Sequence, residues 1–344
     1  MSRHELLEQS RRWLDAVVTN YGILFEPRHS PADEVERVHQ FRVAIRRVRS
    51  VLPALASGLG GGARKKASLV LRNAATATGE TRDEEVLAET LDNLALRGPV
   101  TEHLAHWRKG RERRLVGTRK LAIKRLADEF DAPLHKTLAN LRNGLLEIEQ
   151  TITEPASVAA LLTAKLNELE GRTRRALEQG GSEDFHRARI GAKKLRYLAE
   201  WLDGSVASNL GEVAELAAKL QKTLGKLHDL EEAAVRMERA RGLSNDDRKL
   251  ILIELERRRK KAEQRSRADL VKLLPELARE LERCSAELNR SVGALEEGGD
   301  ALTDADAEGR DTTFSAGASH AMNEGGNDAS AGTADRVAEG DRPA

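Results

Sequence analysis

The chain has little from which to build a sheet-rich core, a disulfide framework or a membrane span. Aromatic residues make up only 3% of its 344 residues, and proline occupies eight positions. The single cysteine, Cys284, excludes an internal disulfide and agrees with a reducing compartment. No run of 18 apolar residues occurs, and the opening "MSRHELLEQSRRWLDAVV" has no apolar core of a secretory leader. The expectation is a soluble, cytoplasmic protein with no membrane partner. Scarce aromatics argue against stacking on single-stranded nucleic acid. The phosphate-cradling pattern G-x-x-x-x-G-K-[ST] is missing, as are H-x-x-x-H and C-x-x-C pairs, so neither a P-loop nor a familiar zinc site is expected.

Charge and helix formers are abundant instead. Charged residues make up 33% of the chain and hydrophobic ones 40%, dominated by Leu, Ala, Glu, Lys and Arg, which suits long amphipathic helices. The net charge of +1 hides an asymmetry. From Glu296 onward, 12 acids face only Arg310, Arg336 and Arg342, so this segment carries −9, while the preceding body has 54 basic residues against 44 acidic. Rich in Gly, Ala, Ser and Thr, with Phe314 as its one aromatic, the segment 296–344 is expected to be a disordered acidic tail.

Helical periodicity covers nearly everything before that tail. Leu6, Leu7, Trp13, Leu14 and Val17 open a first helix ending near "NYG". In "SPADEVE", Ser30 is placed to cap, Pro31 suits the first turn, and Asp33 and Glu34 suit the positive helix end. Breaks are expected at "SGLGGGA", "RGP", "DAP" and "TEP", with one long pattern running from Arg64 into the nineties. The order of helices and breaks then recurs: His39 and His186 lie 147 residues apart, and Gly79 and Gly225 lie 146 apart. The reading is an all-α chain built by internal duplication, with units at 1–152 and 153–295 ahead of the tail 296–344.

Two basic stripes carry the functional signal. In "VHQFRVAIRRVRS", Val38, Phe41, Ile45, Val48 and Leu52 form a core-facing row on a helix, and His39, Arg42, Arg46 and Arg49 form a second row beside it. "DFHRARIGAKKLRYLAEWL" repeats the spacing in His186, Arg189, Lys193 and Arg196. Like charges at this spacing destabilise an isolated helix, and neither row contains an acid to relieve them. Two such rows at matching places in a repeat suggest a preformed polyanion site. Arginine forks, lysine point charges and histidine donors all suit phosphate, and three helical turns rise about 16 Å, enough to meet several phosphates. Arg11, Arg12, Arg64, Lys65 and Lys66 in the first half, and Arg172, Arg174 and Arg175 in the second, are further contributors, whereas "RKGRERR" and "RRRKK" read as solvated faces.

A second element recurs as Gly79, Arg82, Asp83 and Gly225, His228, Asp229. Glycine inside a helix costs about 1 kcal/mol relative to alanine, so its return suggests close approach by another helix. Asp83 and Asp229 either orient a stripe residue or serve the packing; His228 is either a ligand residue or a core-edge histidine.

These motifs, together with "LRNAATATGETRDEEV" and "LQKTLGKLHDLEEA", resemble the CHAD family, the conserved histidine α-helical domain, over roughly residues 1–290. The resemblance implies two four-helix bundles related by a pseudo-twofold axis, with a basic surface or pore between them. It also implies noncatalytic binding of inorganic polyphosphate and association with polyphosphate granules and their proteins, without a cofactor. The implied binding residues are His39, Arg42, Arg46, Arg49, His186, Arg189, Lys193 and Arg196, joined by Arg82, His228, Arg12 and Lys65. Where the family often has "RDxDV", this chain has Glu85 before Val86. Glu254-Leu-Glu256-Arg-Arg258 only approaches the E-x-E-x-K signature of the triphosphate-tunnel domains often fused to CHAD units, which points to a stand-alone protein. Nonspecific nucleic-acid binding is the weaker alternative, because a phosphate-tracking groove shares its physics. A metal site fits poorly among arginines, and a phosphohydrolase would want clustered carboxylates for Mg²⁺.

Overall fold

The computed structural model describes residues 3–27, 30–55, 61–148, 155–203 and 210–303. These form α1 (Arg3–Ile23), α2 (Pro31–Leu55), α3 (Gly61–Ala77), α4 (Gly79–Asp92) and α5 (Pro99–Arg125). A π-helical segment, Leu126–Phe130, leads into α6 (Asp131–Ile148), followed by α7 (Pro155–Gln179), α8 (Ser182–Leu202), α9 (Leu210–Glu238) and α10 (Asn245–Thr303). No β-strand occurs among the described residues. The fold is all-α, as the periodicity and the scarcity of β-formers require.

Several punctuation signals act where the sequence puts them. Ser30 caps α2 by accepting from the Asp33 amide at 3.1 Å, and Ser244 does the same for α10 through the Asp247 amide at 3.0 Å. Gly98, Gly180 and Gly242 adopt positive φ at the turns before α5, α8 and α10, where a side chain would be strained.

Two expectations are corrected. The pattern from Arg64 into the nineties is two helices, α3 and α4, broken at the buried Thr78 (φ −103°, ψ 11°). Thr78 Oγ1 donates to the Ala75 carbonyl at 3.2 Å, and Arg42 Nη1 donates to the same carbonyl, so side chains take over the helix's own acceptor. The interruption expected at "DAP" is a change of helix type rather than a break in the helix. The chain passes there through the π-helical segment directly into α6, and the Tyr21 hydroxyl donates to the Leu126 carbonyl at 3.3 Å.

The apolar rows build a core that crosses the middle of the chain. Val38, Phe41, Ile45, Val48 and Leu52 of α2 are buried in a cluster that also takes Leu14 of α1, Leu162 and Leu169 of α7, Leu195 and Trp201 of α8, and Leu277 of α10. Each such side chain contributes about 1.5–3 kcal/mol on burial. Trp201 Nε1 donates to Ser10 Oγ at 3.0 Å, satisfying the indole where α8 meets α1. A second cluster joins Leu87 and Leu91 of α4, Trp107 of α5, Met237 of α9, and Ile251 and Leu255 of α10. Contacts bind Met1–Glu297 into one compact unit. The boundary expected at 152/153 lies outside the described residues, as does 304–344 of the expected tail; its first residues, 296–303, are instead the end of α10. Among the described residues, no helix is long and apolar enough to cross a membrane.

Candidate functional site

The core-facing row of α2 fixes where its basic row emerges. With Phe41 and Ile45 fully buried, His39, Arg42 and Arg46 are held at the edge of the helix, half-buried rather than waving in solvent. Burial of Phe185, Ala188 and Ala192 does the same for His186, Arg189 and Lys193 on α8. Packing of α2 on α8 and of α4 on α9 then turns the two rows toward one another. The result is a cavity of about 350 Å³. His39, Arg42 and Arg46 line it from α2, Arg189 from α8, Arg82 from α4 and His228 from α9.

Arg42 is the most constrained of these cations. Its Nη1 reaches the Ala75 carbonyl and, at 3.2 Å, Thr78 Oγ1, so it caps the end of α3 at the helix break. Its Nε is buried without a hydrogen-bond partner. A β-carbon added at Gly79 would lie 3.9 Å from Arg42 Nη1, and one at Gly225 would lie 3.9 Å from Arg189 Nε. The recurring glycines therefore adjoin the stripe arginines; among the described residues no backbone of another helix lies within 4 Å of the added carbon, which corrects the expected reason for them. Arg46, Arg189 and Lys193 form no ion pair among the described residues, although each is half-buried.

Crowded positive charge shows in the protonation equilibria. Lys193 is pushed down to about 8, first by burial and then by Arg46, Arg189 and Arg49. His228 falls to about 4 through burial, Arg189, His186 and Lys193. His186 Nδ1 lies 3.4 Å from His228 Nδ1, with the ring centroids 4.6 Å apart. His39 and His186 are also lowered, in both cases first by burial, then by Arg82 for His39 and by Arg189 for His186. The histidines are thus neutral near pH 7 without a ligand, which spares the cavity further repulsion.

Carboxylates order the cations without cancelling them. Asp83, Asp229 and Glu232 also line the cavity. Asp83 does not bind a stripe residue; its Oδ2 lies 3.3 Å from Arg236 Nη2 across the α4–α9 contact. Asp229 sits near Arg189 and Arg82, and burial raises its pKa despite both. Arg236 lines the cavity and was not singled out by the sequence patterns. The signal was present: it stands seven residues after Asp229, two turns along the same face of α9.

The remaining sequence candidates divide. Arg49 is exposed beside Arg72 and Arg46, next to Lys193 rather than in the cavity wall. Arg196 donates to Glu200 at 2.6 Å and lies over the Tyr197 ring at 5.4 Å, so it is committed elsewhere. Arg12 and Lys65 are exposed and do not line the cavity.

With this geometry in view, the chain's similarities fall into place. The crystal structure of the CHAD domain from the plant Ricinus communis shares the fold, with a TM-score of 0.55 at 19% identity, covering 83% of this chain and 91% of that one. Two uncharacterized proteins from two strains of Mycobacterium tuberculosis are each 31% identical over 221 residues, or 60% of this chain. The match spans 41% of the length of those relatives. The family model of the CHAD domain matches residues 25–238, the span that holds both basic rows and both glycine elements, and the chain belongs to the CHAD domain family.

Proposed function

We propose that the basic cavity binds inorganic polyphosphate and does so without catalysing its hydrolysis. The observation that carries this reading is the convergence of Arg42, Arg46, Arg82 and Arg189 from three helices on one cavity. Arg46 and Arg189 form no ion pair there among the described residues. Cations held this way are costly in the free protein and are relieved by a ligand with closely spaced negative charges. A linear phosphate chain offers such charges at every unit and no base edges, which matches a wall of arginine forks and histidine donors with few aromatics. The CHAD family is associated with polyphosphate binding in general, and its members are generally noncatalytic binding domains. Association with polyphosphate granules in the cytoplasm follows from such binding.

Titration of the full chain with long-chain polyphosphate, and with DNA and RNA of matched charge, at two salt concentrations tests this. Polyphosphate is expected to outcompete both nucleic acids at the higher salt. Equal or weaker binding of polyphosphate assigns the cavity to nonspecific phosphate-backbone binding instead.

A further inference from the structure

The basic run on α10 is organised in a way that its sequence hides. In "RRRKK" at 257–261, two members are tied down along the helix: Arg257 to Glu254 at 2.6 Å and Arg259 to Glu256 at 2.7 Å. Arg258, Lys261 and, one turn on, Arg265 step by 3 and 4 and share another face. That face lines a groove of about 720 Å³ whose other walls are α4 and α9. Lys226 of α9 adds a fourth cation and Arg82 of α4 a fifth, against the carboxylates of Glu89 and Asp229.

These cations are only lightly engaged. Lys226 and Lys261 are exposed and form no ion pair among the described residues. Arg258 commits Nε to Glu254 at 2.9 Å and lines the groove. Arg265 lies 3.8 Å from Asp269, beyond hydrogen-bond reach, while Asp269 accepts from Thr223 at 2.7 Å. The groove is also not isolated: Arg82, Val86 and Asp229 line both it and the central cavity. Arg82 therefore stands where the two adjoin.

We propose that the α4–α9–α10 groove is a second polyanion subsite, continuous with the central cavity at Arg82, that receives the phosphates of a chain too long for the cavity alone. The inference rests on the polyphosphate reading above. From Arg258 to Arg265 the helix rises about 10 Å, so the row follows several further phosphates of an extended chain. None of α10 lies within residues 25–238, the span shared with the family model. The groove thus adds cations from outside that span to those within it, and it makes affinity depend on chain length.

The test compares tripolyphosphate with long-chain polyphosphate on the full chain, on a groove variant (Lys226→Ala, Lys261→Ala, Arg265→Ala) and on a control variant (Lys109→Ala, Arg113→Ala, Lys120→Ala) of equal net charge. All six positions are exposed, and circular dichroism checks that both variants stay folded. The groove variant is expected to lose about tenfold in affinity for the long chain, with the salt dependence shallower by about 2 in log–log slope. Its affinity for tripolyphosphate stays within twofold, and the control variant keeps long-chain affinity. Unchanged long-chain affinity in the groove variant overturns the subsite. An equal loss in the control overturns it too, because a diffuse field would then account for the effect. If the unmodified chain binds neither polyphosphate, the reading of the central cavity itself fails, and the subsite with it.

Discussion

His186 and His228 approach nitrogen to nitrogen, Nδ1 to Nδ1 at 3.4 Å, with Arg189 and Lys193 beside them. Two imidazoles at that distance cannot both carry a proton cheaply, and the neighbouring cations add to the cost. Burial and those cations hold the pair in its neutral form in the free protein.

This sets a pH dependence for binding. Burial first, and then the neighbouring cations, lower His39, His186 and His228; phosphates in the cavity would offset the cations, so ligand binding below about pH 6.5, the ordinary histidine value, is expected to take up protons. Calorimetry in buffers of different ionisation enthalpy is expected to show uptake at pH 6 and less at pH 7.5. No uptake at pH 6 would mean that the imidazoles do not face the ligand. Lys193, at about 8, works from the other side: affinity falls as pH rises through that value, and Lys193→Gln flattens this limb.

The same histidines affect the free protein with a definite sign. A histidine lowered in the folded chain is protonated first in the unfolded chain, so its contribution to stability is present above 6.5 and lost as pH falls toward the folded value, about 4 for His228. Thermal unfolding of the free chain is expected to drop over this window, and His228→Asn to reduce the drop. An identical pH profile in the variant counts against the pair as its source.

Arg42 and Arg189 occupy matching places in the two rows but differ in their partners. Arg42→Met removes the donor to Ala75 and Thr78 and is expected to cost about 2 kcal/mol of stability as well as polyphosphate affinity. Arg189→Met keeps the aliphatic stem and loses no hydrogen bond among the described residues, so its stability stays within about 0.5 kcal/mol while affinity falls. Urea unfolding and ligand titration of both variants separate the two roles.

Gly225→Ala is expected to stabilise the chain by about 0.5–1 kcal/mol. The position lies inside α9, and the added methyl carbon meets only Arg189 Nε at 3.9 Å, an ordinary contact. A loss of stability would show that the helix needs the glycine for packing after all.

Arg119 is an almost fully buried cation on α5, with Nη2 at 3.0 Å from Glu85 and Nη1 at 3.8 Å from Glu34. Arg119→Ala removes a buried cation that Glu85 and Glu34 face and is expected to cost about 3–5 kcal/mol in denaturant unfolding. A cost below about 1 kcal/mol would place the pair in the class of weak surface bridges.

Much of this molecule was legible from periodicity. The rows Val38–Phe41–Ile45–Val48 and His39–Arg42–Arg46 are separated by the 3.6-residue repeat alone, because burial of one row dictates where the other emerges. Ser30, Gly98 and Gly180 fixed their helix ends through capping and positive φ, both local effects. The break at Thr78 was not legible, since it depends on Arg42 arriving from 36 residues away to take hydrogen bonds at the end of α3.

The sequence by itself determined the all-α class and the two basic rows, because helix propensity and side-chain spacing are properties of neighbours along the chain. Only the tertiary structure decided which cations meet. It brought Arg82, Arg189 and Arg236 to the α2 row, left Arg12 and Lys65 on the surface, and tied Arg196 to Glu200. It also gave the α10 charges a groove to line, where composition suggested a solvated face. Proximity between helices far apart in the chain comes from packing of their apolar faces, and no local pattern records which face will meet which.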